Sequence, residues 1–134
     1  MPNIAQARPF SARRALVSVG WLVSSGVALS GVYALTGWGL PCPWRTLTGT
    51  LCPFCGTTHL GERLLHLDVA GAWAANPFVF VLIVGVGIAS LLWVVEALGG
   101  PAVRPPRALR NQNLWYAIIG SAGLAFAVAR NLVG

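Results

Sequence analysis

Three cysteines, Cys42, Cys52 and Cys55, are followed closely by both histidines of the chain, His59 and His66, and by Glu62 and Asp68. The stretch CPWRTLTGTLCPFCGTTHLGERLLHLD, residues 42–68, therefore collects most of the side chains that could do chemistry. Four chemistries suit these residue types. In Cys52-Pro53-Phe54-Cys55 the first thiol would stand at a helix amino terminus, where unpaired N–H groups favour a thiolate and hence a redox pair. Cys42, Cys52, Cys55 and His59 make up a Cys₃His set that suits tetrahedral zinc. Cys55 with His59 or Glu62 as base could act as a nucleophile, since residues four apart on a helix can touch. The chain shows no recognisable oxyanion site or substrate pocket, so an enzyme is the less favoured reading. The simplest alternative is a structural disulfide from Cys42 to Cys52 or Cys55, or within the Cys-x₂-Cys pair, with one cysteine left over. Covalent c-type haem is excluded, because Gly56 and not histidine follows Cys55.

These groups need a scaffold. A helix begun by Pro53 in its first turn and continued to Leu67 would line up Cys55, His59, Glu62 and His66 on one face, with Leu60, Leu64 and Leu67 on another. His66 also reads as a solvated helix-end residue, and Glu62 and Arg63 as polar helix surface. Asp68 is an N-cap for a second short helix over 69–75, and Asn76-Pro77 repeats the cap-plus-proline signal. Gly39, Pro41 and Pro43 predict irregular backbone before the motif.

Of 134 residues 56% are hydrophobic and only 9% charged, well below the roughly 25% charged of soluble domains. Residues 15–38 carry no charge, residues 77–98 only Glu96, and residues 114–133 only Arg130. At about 1.5 Å per residue each run can cross a hydrocarbon core of about 30 Å. A cleaved signal peptide would have a shorter apolar run, about 7–15 residues. The expected fold is thus an all-α membrane protein, with three transmembrane helices and two short interfacial helices between the first and second spans. The chain divides into an arm at 1–14, a span at 15–38, the cysteine segment at 39–76, a span at 77–98, a loop at 99–113 and a span at 114–133, all in one membrane domain. Glu96, close to a span end, would snorkel to the interface.

The net charge of +6 comes from arginine alone. Arg8, Arg13 and Arg14 precede the first span, and Arg104, Arg107 and Arg110 lie between the second and third. Positive residues stay on the cytoplasmic side, which puts the amino terminus inside and the cysteine segment outside, where disulfides persist. These arginines favour a lipid bilayer as partner, and nothing calls for nucleic acid.

The run from Cys42 through Cys52-Pro53-x-Cys55-Gly56-x-Thr58 to Asp68, Ala72 and Asn76-Pro77 resembles the family catalogued as domain of unknown function 2752, small bacterial membrane proteins. His59 stands where that family usually has arginine, and Leu67 where it usually has glycine. The resemblance implies a multi-pass protein of the bacterial cytoplasmic (inner) membrane with an extracytoplasmic motif, in which Pro53, Gly56, Thr58, Asp68, Asn76 and Pro77 support the cysteines. An arginine at the position of His59 also means that His59 is no shared fourth metal ligand. Small-residue ridges, Gly20/Ser24/Ala28 and Ser121/Ala125/Ala129, allow close helix approach within the chain or onto another protein. The expected function is a noncatalytic accessory or assembly subunit of a larger membrane complex, with the motif as a structural or docking element. The alternative is a thiol–disulfide redox or metal-handling protein using Cys52 and Cys55. No cofactor is expected, and zinc is the ion the pattern would admit.

Overall fold

The computed structural model describes residues 10–133, and these are helical with no strand. The amino-terminal arm up to residue 9, with Arg8, lies outside the described residues. Three long helices, α1 (Ala12–Thr36), α5 (Pro77–Ala97) and α6 (Gln112–Val133), are long and apolar enough to cross a membrane. The short helices α2 (Pro43–Thr48), α3 (Thr57–Leu65) and α4 (Val69–Ala75) lie between α1 and α5. Large apolar side chains such as Leu22, Val27, Ile88 and Leu124 stand exposed on the long helices, a surface suited to lipid. The chain is an all-α membrane protein.

Local sequence explains each boundary. Gly37 closes α1 in the left-handed region at φ 69°, its N–H donating to the Tyr33 carbonyl. Where irregular backbone was expected after Gly39, a third short helix forms. Cys42 precedes α2, Pro43 occupies its first turn, and Gly49 ends it at φ 71°. The helix expected from Pro53 begins later, at Thr57. Gly56 takes φ 91° as its N-cap, so residues 53–56 form a turn instead.

The end of α3 carries a strain that the chain could shed. The Asp68 N–H donates to the Arg63 carbonyl at 2.9 Å and the Leu67 N–H to the Leu64 carbonyl at 3.0 Å, the bonds of a Schellman ending. The pivot is Leu67 at φ 58°, the one non-glycine residue with positive φ among the described residues. Its side chain is 87% exposed, so little packing would be lost on removing it. Leu67→Gly should therefore stabilise the fold by about 1 kcal/mol, seen as a higher melting temperature in detergent. An unchanged or lower melting temperature would show that the leucine supports the fold through its side chain.

Asp68 then starts α4 by accepting the Gly71 N–H at 2.8 Å, with Arg63 3.1 Å from its other oxygen. The Gly71 bond, aided by Arg63, holds its carboxyl below the usual range.

The chain runs along α1, turns through the short helices, returns along α5 and crosses again along α6. α3 lies against the carboxyl-terminal half of α1, where Tyr33 meets His59 edge-on at 4.8 Å between ring centroids. A Cβ on Gly61 would come within 1.9 Å of Ser30 Oγ, which shows how closely the two helices approach. Leu60, Ala72 and Val79 form the small core joining α3, α4 and α5. Phe126 of α6 stacks on Phe78 of α5 at 5.7 Å. At the opposite end Arg104 pairs with Glu96 at 2.6 Å and lies 4.8 Å from the Phe10 ring centroid. Glu96, expected to snorkel to the interface, has a guanidinium partner there in Arg104.

Candidate thiol site

The turn bearing the cysteines lacks the repeating bonds of a helix, so its polar backbone needs other partners. Three side chains provide them. Asn76, completely buried, donates through Nδ2 to the Pro53 carbonyl at 2.9 Å and the Cys55 carbonyl at 3.0 Å. Its Oδ1 accepts the Val79 N–H at 3.0 Å, so one amide both starts α5 and ties down the turn. Arg130 of α6 donates to the Cys55 carbonyl at 2.7 Å and the Ala75 carbonyl at 3.4 Å. Asn131 accepts the Leu51 N–H and donates to the Leu51 carbonyl, both at 2.8 Å. Gly56 is required by two conditions at once: its φ is 91°, and a Cβ there would stand 2.9 Å from the Ala75 carbonyl oxygen.

This scaffold gathers the sulfurs. Cys52 Sγ lies 3.3 Å from Cys42 Sγ and 3.3 Å from Cys55 Sγ. All three lie within 4.8 Å of one another, and each cysteine is half-buried and unbridged. The stripe expected from a continuous helix does not form. Cys55 precedes α3 because Gly56 turns the backbone there, and its sulfur joins Cys52. His59 stays on α3, exposed, with Nδ1 3.1 Å from the Tyr33 hydroxyl and 4.0 Å from Glu62. His66 is the exposed residue ending α3. The thiol group thus contains Cys42, Cys52 and Cys55 and not His59. Pro53 contributes its carbonyl, Thr58 sits half-buried in the first turn of α3, and Pro77 opens α5.

The thiols are electrostatically unequal. At the start of α2 the Arg45 backbone N–H, together with the Cys52 thiol, draws Cys42 below the ordinary thiol value. Burial, followed by the two neighbouring thiols, pushes Cys52 up to about 11. The expectation of a thiolate favoured at Cys52 is therefore reversed. Cys52 heads a turn and not a helix, and the favouring N–H belongs to α2 beside Cys42.

The triangle also bears on what the site can do. Two edges of 3.3 Å and a third no longer than 4.8 Å leave an angle of about 90° or less at Cys52. Passing a disulfide along the three sulfurs requires attacking, central and departing atoms nearly in line, which this angle opposes. Three metal–sulfur bonds of about 2.3 Å would set the sulfurs about 4 Å apart, between the 3.3 Å edges and the 4.8 Å limit of the triangle. Three sulfurs gathered this closely could together hold a metal ion.

Sequence reasoning missed Tyr33, Arg130 and Asn131 as supports of this segment. The available signal was an arginine and an asparagine adjacent near the end of an otherwise apolar span, where polar groups usually carry a task.

Residues 42–90 match the family model described as "Protein of unknown function (DUF2752)". That region covers the cysteine motif, the short helices after it and the first two-thirds of α5, in agreement with the resemblance read from residues 42–77. No curated protein and no solved structure matches the chain.

Proposed function

We propose that this small membrane protein holds one thiophilic metal ion of the cuprous class on the thiolates of Cys42, Cys52 and Cys55. The observation that carries the reading is the mutual approach of the three sulfurs within 4.8 Å, on a turn held by Asn76, Arg130 and Asn131. Soft thiolates select cuprous copper or zinc. Structural zinc usually takes four protein ligands, and His59, the candidate for a fourth, is engaged with Tyr33. Three sulfurs alone suit a three-coordinate cuprous ion. The distribution of charge supports the site's orientation: Arg13, Arg14, Arg104 and Arg110 stand at the end away from the thiols. By the positive-inside tendency that end is cytoplasmic and the site extracytoplasmic, on a bacterial cytoplasmic membrane.

Binding would exchange thiol protons for metal, so affinity should rise with pH while thiols remain to be deprotonated. Titrating the reduced, detergent-purified protein with chelator-buffered cuprous ion should give one equivalent bound, with ultraviolet thiolate-to-copper absorption. Cys52→Ser should weaken binding by ~100-fold or more, as for loss of a direct ligand. Zinc titrated in parallel should bind more weakly. Absence of saturable binding, or a Cys52→Ser protein that binds as the original does, would dismiss the reading.

A second reading has its own support. A Cβ on Gly20 would meet nothing within 4 Å, and Ser24 and Ala28 are exposed, so the small-residue ridge of α1 is unused among the described residues. That surface suits an accessory subunit docked on a larger membrane complex. Stoichiometric co-purification under mild detergent, lost on Ser24→Leu, is its test.

A further inference from the structure

A groove of about 430 Å³ lies beside Arg130, between the end of α4, the start of α5 and the last turns of α6. Its walls are apolar, formed by Ala75, Pro77, Phe126, Ala129 and Val133, and among the described residues its one charged element is the Arg130 guanidinium. The size lies within the roughly 300–1,000 Å³ of small-ligand clefts. Arg130 is half-buried in the last turn of a membrane-crossing helix. It uses N–H groups on the Cys55 and Ala75 carbonyls, and a guanidinium has five to offer. The three acidic residues of the chain are engaged elsewhere: Glu62 faces His59, Asp68 pairs with Arg63, and Glu96 pairs with Arg104.

We infer that this groove binds an anionic phospholipid, its headgroup phosphate on Arg130 and an acyl chain along the apolar walls. An arginine at a span end, with free N–H groups and no carboxylate from Glu62, Asp68 or Glu96, is matched by a phosphate, which accepts two parallel N–H bonds. A free phosphate would leave the apolar walls without a partner, whereas a lipid fills both parts. The site is distinct from the thiols: Arg130 meets the motif through carbonyl oxygens, and none of Cys42, Cys52 and Cys55 lines the groove.

The test is native mass spectrometry of the full chain, mixed with dioleoyl phosphatidylglycerol or dioleoyl phosphatidylcholine at equal concentration. Phosphatidylglycerol should be retained about fivefold more, the preference due to one well-placed arginine. Ala129→Trp, which fills the groove from an exposed position and leaves Arg130 in place, should abolish that preference without shifting the melting temperature. Glycerol phosphate should not displace the lipid. Equal retention of the two lipids, an intact preference in Ala129→Trp, or displacement by glycerol phosphate would each overturn the inference. Because the readout is lipid mass on a metal-free chain, its failure leaves the thiol reading untouched, and the converse also holds.

Discussion

Asn76→Ala should destabilise the protein by roughly 3–5 kcal/mol, and Asn76→Asp should do so in a pH-dependent way that the alanine variant lacks. The amide makes three bonds from a fully buried position, to the Pro53 and Cys55 carbonyls and from the Val79 N–H. Alanine leaves the Pro53 carbonyl and the Val79 N–H without partners, each worth about 1–3 kcal/mol, and adds a cavity. Aspartate keeps the acceptor for Val79 but turns an oxygen toward two carbonyls 2.9 and 3.0 Å from the present nitrogen. A buried carboxylate so placed would be driven to protonate, with a folded-state value above its unfolded one. The penalty is then smallest below the unfolded value near 4, and it grows as pH rises toward the folded value. Melting curves between about pH 4 and 7 should show Asn76→Asp gaining stability on acidification relative to Asn76→Ala. Parallel curves for the two variants would mean that the buried amide does not face the turn carbonyls.

The second large effect is expected at the closest helix contact. Gly61→Ala would place a Cβ 1.9 Å from Ser30 Oγ and 2.8 Å from Ser30 Cβ. Ser30 is buried on α1, so relief must come from parting α1 and α3. The cost should be about 1–3 kcal/mol, typical of overpacking a tight interface. Ser30→Ala should not rescue it, because the Cβ remains in the way, whereas Ser30→Gly should recover most of the loss. The resulting double-mutant coupling should exceed ~1 kcal/mol, as for residues in direct contact. Independent, additive losses in unfolding experiments would show that α3 does not lie against α1 at this point.

Much of the scaffold was legible in the sequence because long apolar runs and cap-plus-proline signals act locally. Three spans follow from uncharged length, and the roles of Asp68 and Asn76-Pro77 follow from N-cap chemistry. The turn at 53–56 was not legible. Pro53 and helical leucine spacing both favoured a helix from there, and Gly56 broke it by taking a left-handed conformation against the Ala75 carbonyl. That one residue decides whether Cys55 belongs to the His59 face or to Cys52. Nor could spacing show that Arg130 and Asn131, some 75–80 residues along, satisfy the backbone of the same turn. Local pattern reports elements. It does not report which distant side chain closes an irregular loop. Leu67 occupies a conformation that suits the glycine usual in the family, and the resemblance thus exposed a strain that propensity alone would not locate.

The central claim is that the three thiols act together as one metal site. Its most direct test is intact mass spectrometry of protein isolated from native membranes without reductant, after free thiols have been blocked under native conditions and again after denaturation. The account predicts one copper ion per chain in the native spectrum, three cysteines shielded from native blocking, and all three labelled once unfolding releases the metal. A homogeneous metal-free chain with one disulfide and a single labelled cysteine would contradict it and make the cysteines a structural clamp.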